Sequence, residues 1–84
     1  MAHYIVVYDL RKPGKDYTEL INALRSLPHF HAQQSVWFVR WSQGAAELRD
    51  KLRQHIDTND MLFVAQFGDW ATFNMRDAAN WLNS

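Results

Sequence analysis

Cysteine is absent from this sequence. That excludes disulfides, thiolate metal sites and a cysteine nucleophile, and it fits a reducing compartment. A net charge is also missing: nine basic side chains balance nine acidic ones. A neutral chain argues against tight, nonspecific wrapping of nucleic acid, which rests on a basic excess. No apolar run approaches the ~20 residues that span a bilayer. Met1-Ala2-His3 has neither the basic region nor the long apolar core of a signal peptide. The expectation is a cytoplasmic, soluble protein. Glycine and proline are scarce, with three and two, so the few that occur mark loops. There is no repeat, low-complexity tract or linker, and 84 residues make a single domain spanning 1–84.

Large aromatic and β-branched side chains are present instead. Tyr4–Leu10, Tyr-Ile-Val-Val-Tyr-Asp-Leu, carries the strongest strand signal. Both alternation classes are apolar: Tyr4, Val6 and Tyr8 on one face, Ile5 and Val7 on the other. A strand of that kind is covered on both sides. Asp9 stands at its end, followed by Arg11, Lys12, Pro13, Gly14 and Lys15. A carboxylate ahead of a basic Gly/Pro loop suits metal or phosphate chemistry, and it equally suits a turn.

Asp16 is placed to cap a helix, with Glu19 completing a capping box. Tyr17, Leu20, Ile21, Leu24 and Leu27 form its apolar stripe, and Pro28 ends it. Residues 29–41 read as a hairpin with arms His29–Gln33 and Ser35–Trp41 and a turn near Gln33-Gln34; one bent strand is the competing reading. In the second arm Val36 and Phe38 face one way, and Trp37, Val39 and Trp41 the other. Ser42 is placed to cap a second helix with Ala45, Leu48, Leu52 and Ile56 buried. Asp57-Thr58-Asn59-Asp60 is a turn cluster. Met61–Phe67 is the last strand, with Leu62 and Val64 opposite Met61, Phe63, Ala65 and Phe67. Gly68-Asp69 breaks it. Trp70–Phe73 reads as a short edge strand or an extended segment. Asn74 is placed to cap a final helix through Leu82, with Ala78, Trp81 and Leu82 facing inward.

The order is β-α-β-β-α-β plus a C-terminal extension. Right-handed crossovers put both helices on one face of a four-stranded antiparallel sheet, an α+β, ferredoxin-like arrangement. The other face is then bare yet apolar. A second copy of the chain is the most economical cover.

Four stretches resemble one family. They are Tyr4–Asp9 as a first strand ending in Asp, Gln34-Ser35-Val36-Trp37-Phe38, the helix Ala45–Ile56, and Asp57–Phe67. In order and spacing they are similar to the Cas-two-like superfamily. It includes the CRISPR-associated Cas-two endonucleases, VapD-type ribonuclease toxins and a SinR-like group. The SinR-like group is the closest in the Asp9–Tyr17 loop, the Asp57–Asp60 turn and the tail Trp70…Phe73…Asn80-Trp81-Leu82. The chain departs from the family pattern in Lys12-Pro13-Gly14-Lys15 and in Trp37 ahead of Phe38. The resemblance implies a ferredoxin-like homodimer in which the first-strand Asp of both subunits, here Asp9, serves magnesium-dependent phosphodiester cleavage.

Each candidate has a plainer reading. Asp9 is a magnesium ligand and catalytic carboxylate, or a loop-bracing group. Magnesium takes one or two carboxylates plus substrate phosphates, so a lone Asp per chain is a poor site and two copies meeting across a dimer axis make an adequate one. Arg11, Lys12 and Lys15 are nucleic-acid phosphate ligands beside it, or a solvated charged loop. His29 and His31 share a strand face, but no further ligand is spaced to join them. The expected function is endonucleolytic, on single-stranded RNA rather than duplex DNA, by a homodimer using Mg2+. The alternative is a non-catalytic homodimeric adaptor or regulatory protein that works through a protein partner.

Overall fold

The computed structural model describes residues 1–11 and 16–84. Its elements are β1 (Ala2–Asp9), α1 (Thr18–Arg25), β2 (His29–Gln33), β3 (Val36–Trp41), α2 (Ala45–Arg53), β4 (Met61–Phe67) and α3 (Arg76–Asn83). The four strands form one sheet in the order β2-β3-β1-β4. All three pairings are antiparallel. This is the ferredoxin-like arrangement that the element order requires.

Strand alternation sorts the side chains. Tyr4, Val6 and Tyr8 of β1 and Trp37 and Val39 of β3 are buried, and they form the core with Leu20 and Leu24 of α1 and Leu48 and Leu52 of α2. Leu62 and Val64 of β4 pack against that cluster. The polar atoms in this layer are paired. The Trp37 indole N–H donates to the Tyr8 hydroxyl at 3.0 Å, and that hydroxyl donates to the Gln34 carbonyl at 3.2 Å. The Tyr4 hydroxyl donates to the Gln43 carbonyl at 2.7 Å, which ties the β3–α2 loop to the sheet.

The hairpin forms, with its first arm as expected and its second starting at Val36 rather than Ser35. Gln33 pairs with Val36 while His31 pairs with Trp37, so Ala32 is the extra residue of a bulge. The turn therefore sits on Gln34-Ser35, one position later than expected. His31 stacks on Trp37 at 3.9 Å and His29 tilts against it at 5.4 Å.

The helix starts differ from expectation. Asp16 does not cap α1 through a capping box; the N-cap position is Tyr17. The Asp16 carboxylate instead accepts the Thr18 N–H at 2.9 Å and the Thr18 hydroxyl, while Glu19 lies 3.8 Å from His55. Ser42 does not cap α2, which starts after an extended Gly44; the Trp41 indole donates to the Gly44 carbonyl at 3.0 Å and fixes the entry. α2 ends at Arg53, so Ile56 belongs to the following turn although it still packs on the core. Asn74 is not the cap of α3. It takes φ 59°, a left-handed conformation that Asn tolerates better than most residues. Residues 70–73 form no strand.

The second sheet face is not left wholly bare. α3 lies on it, with Ala78 1% and Leu82 5% exposed. Trp81 meets the Phe30 ring at 6.3 Å and His3 at 5.8 Å. Leu82 joins Ile5, Phe38, Phe67, Trp70 and Met75 around one apolar groove. Two helices thus pack on one face and the C-terminal helix on part of the other. What remains open is the strip at the far end of β1 and the near end of β4, where Phe63 is 61% and Met61 49% exposed.

Candidate functional site

Asp9 closes β1. Alternation from His3, Ile5 and Val7 places it on the second face, away from α1 and α2, and it pairs with Met61 of β4. Val7, Asp9, Met61 and Phe63 line a shallow depression of about 250 Å³ with Tyr8 and Leu62. The carboxylate is 56% exposed. It is therefore a solvated acid on the rim of an apolar strip.

Its one side-chain partner among the described residues is Arg11. Arg11 Nε donates to Asp9 Oδ2 at 2.9 Å and Nη2 lies 2.8 Å from the same oxygen. An exposed pair of this kind contributes little to folding, typically about 0–1 kcal/mol. The geometry thus brings two predicted site residues together. Lys12 and Lys15, expected beside them, lie outside the described residues.

Asp60 holds this corner in place. Its Oδ1 accepts the Arg11 backbone N–H at 2.6 Å, its Oδ2 accepts the Asp57 N–H at 2.7 Å, and the Tyr17 hydroxyl donates to both oxygens at 2.9 and 2.8 Å. Burial and the nearby Asp57 push the Asp60 carboxyl up. The Arg11 and Asp57 amides and the Tyr17 hydroxyl outweigh them and hold it below the usual carboxylate range. Asp16 is held below it too, by the Thr18 hydroxyl and then the Thr18 amide. The start of the basic loop, the entry to α1 and the α2–β4 turn are thereby joined through one carboxylate. The sequence shows Asp57–Asp60 as a turn cluster, but nothing local reveals that its last member reaches back 49 residues.

His29 and His31 do not form a metal site. His29 Nδ1 lies 2.8 Å from the Leu27 carbonyl and His31 Nε2 3.1 Å from the Gln34 carbonyl. Among the described residues no three His, Asp or Glu side chains converge on a common point. Among the described residues, the corner at the end of β1 therefore offers one exposed carboxylate per chain, where magnesium takes one or two carboxylates from protein.

Arg40 is a residue that the sequence reading passed over. It sits on β3 among the apolar residues of the second face. Its guanidinium lies 4.2 Å from the Trp81 ring centroid. Nη2 donates to the Trp81 carbonyl at 2.7 Å, to the Ser84 carbonyl at 3.1 Å and to the Ser84 hydroxyl at 2.9 Å. Nε lies 3.4 Å from His3 Nε2. A lone cation between Val39 and Trp41, with a tryptophan near the end of the chain, was the signal available.

Comparison with known proteins agrees with the fold. The solved structures contain no match to this chain. The family model for CRISPR associated protein Cas2 matches residues 1–75, which takes in all four strands, α1 and α2 and stops one residue before α3. With that match over most of its length, the chain belongs to the CRISPR associated protein Cas2 family.

Proposed function

We propose that the protein is a magnesium-dependent endonuclease of the nuclease type found in its family, acting as a homodimer on single-stranded RNA. The observation that carries this reading is the position of Asp9. An exposed carboxylate stands at a strand end, on the rim of the apolar strip formed by Val7, Met61 and Phe63. Burying that strip against the same strip of a second copy places the two Asp9 carboxylates across a two-fold axis. Two carboxylates give magnesium a fuller donor set than one.

The two Asp9 side chains would hold the ion. When bound, it supplies Lewis-acid polarisation of a phosphodiester and a more acidic water. The chain's own contribution is positioning. Arg11 donates to Asp9 Oδ2 on the surface, and its planar fork can exchange that exposed partner for a phosphate. Asp60 fixes the Arg11 backbone, so the guanidinium swings from a rigid pivot. Lys12 and Lys15 add charge in the same loop. The neutral overall charge suits transient handling of short single strands rather than duplex wrapping.

A second reading, a non-catalytic homodimeric adaptor, draws on two observations: one carboxylate per chain at the site, and an arginine already paired with it. Cleavage of a fluorescent single-stranded RNA with and without magnesium separates the two. The nuclease reading expects magnesium-dependent cleavage that Asp9→Asn lowers by about 10²–10³-fold, the cost of losing an electrostatic contact to the transition state. Absence of cleavage by the wild type on any RNA or DNA leaves the adaptor reading.

A further inference from the structure

α3 begins where the family match ends, and it occupies part of the apolar sheet face whose open strip the proposed dimer buries. The contacts that hold it are specific. Arg40 reaches the last turn of the helix, where C-terminal carbonyls lack intrahelical partners and attract a cation. Its guanidinium donates to the Trp81 carbonyl and to the backbone and hydroxyl oxygens of Ser84 and lies against the Trp81 ring. Ala78 and Leu82 supply the buried stripe. Ile5, Phe38 and Phe67 lie beneath, on the same face as the open strip of Val7, Met61 and Phe63. The covered and open portions are therefore parts of one apolar sheet surface.

Size makes the two occupants exclusive over the covered part. A helix with its side chains is about 10–12 Å across. Two sheets packed face to face lie about 10 Å apart. With α3 seated, a second sheet cannot reach packing distance over Ile5, Phe38 and Phe67. We propose that α3 and a second copy of this chain compete for the second sheet face, with the Arg40 contact to Trp81 holding the helix in place. This rests on the homodimer reading above and adds what limits it.

His3 supplies a lever on the balance. From β3 it faces Arg40, from the start of the chain the Met1 amine, from β4 the Phe67 ring at 5.8 Å and from α3 the Trp81 ring. The charged groups that face it are both cations. Neutral His3 accepts the Arg40 Nε–H; protonated His3 presents a donor to a donor. Burial first, then Arg40 and the Met1 amine, hold the imidazole below the ordinary histidine value. The burial part of that effect goes with the seated helix, because Trp81 covers the ring, whereas Arg40 and the Met1 amine belong to the sheet in either state; the neutral form is therefore favoured when the helix is seated. Seating is fully favoured above about pH 6.5 and weakens as pH falls, by at most about tenfold per pH unit.

The test is sedimentation equilibrium of the full chain together with amide hydrogen exchange of residues 76–83. In the wild type, protection of these amides falls as protein concentration rises, because dimerisation displaces the helix. Ordinary association would raise it. Trp81→Ala tightens the dimer by about tenfold, a factor that one lost cation–π contact suffices to produce. Lowering pH from about 8 to about 6 tightens the wild-type dimer, and His3→Gln removes that response. A dimer whose formation leaves α3 protection unchanged or raised overturns the competition and spares the dimer reading. A chain that stays monomeric at every concentration, with residues 76–83 exchanging freely in Trp81→Ala, overturns both. The wild-type concentration series decides the matter even where Trp81→Ala does not fold.

Discussion

Leu52 and Leu82 are both buried leucines, 0% and 5% exposed, yet they sit in different layers, and truncating each to alanine should have unequal effects. Leu52 lies in the cluster that joins β1, β3, α1 and α2. Removing three carbons forfeits roughly 2.5 kcal/mol of transfer free energy at about 0.8 kcal/mol per methylene. The rigid surroundings, Trp37 and Val6 among them at 0% exposure, cannot collapse fully, so the cavity raises the cost to about 3–5 kcal/mol. A domain of this length has about 4–13 kcal/mol in total, at roughly 0.05–0.15 kcal/mol per residue. Leu52→Ala should therefore lower the melting temperature by at least about 12 °C. Leu82 packs on the second face, outside that cluster. Its truncation costs no more than the docking of α3, because the helix can leave while the sheet and its two other helices remain folded. The global transition should move by less than about 5 °C, while amides 76–83 lose their protection. Circular dichroism melts and hydrogen exchange measure both. Equal losses of global stability in Leu52→Ala and Leu82→Ala would refute the division into two layers and the independent behaviour of α3.

Three further outcomes follow from single residues. The Asp60 and Asp16 carboxyls are held below their ordinary values in the folded chain, so their stabilisation is complete above about pH 3.9 and is lost as pH falls through the lower folded values; urea midpoints should drop in that range, and Asp60→Asn should reduce the drop. Asn74 at φ 59° should accept glycine without loss, whereas Asn74→Val should destabilise the segment by about 1–2 kcal/mol, read as earlier loss of α3 protection. Because the Asp9–Arg11 pair is exposed on both sides, Asp9→Asn should change the unfolding free energy, read from the urea transition, by less than about 1 kcal/mol; a larger loss would make Asp9 a structural brace.

The element order and the core were readable because they rest on periodicity. Leu20, Leu24, Leu48 and Leu52 recur at helical spacing, and Tyr4, Val6 and Tyr8 alternate at strand spacing; all seven are buried. The caps were less readable. Asp16, Ser42 and Asn74 are all good capping residues by type, but Tyr17, Gly44 and Met75 hold the cap positions. Tertiary ties decide those starts: Tyr17 to Asp60, Trp41 to the Gly44 carbonyl, and Tyr4 to the Gln43 carbonyl. Asp9 and Arg11 were legible as a pair because they are two residues apart. The roles of Asp60 and Arg40 were not, since their partners lie 49 and 41 residues away. The apolar second face was legible in the strands, but that α3 would take part of it was not, because a short amphipathic tail shows its stripe without showing what the stripe meets.

The central claim is that two copies meet with their Asp9 residues facing each other. The chain has no cysteine, so one introduced thiol reports on one position. Asp9→Cys, treated with a short bis-maleimide linker, should give a covalent dimer in high yield, while Arg25→Cys, on exposed α1 at the opposite face, should stay monomeric. Cross-linking through Arg25→Cys with none through Asp9→Cys would contradict the account, because the shared Asp9 cleft on which the proposed chemistry depends would not exist.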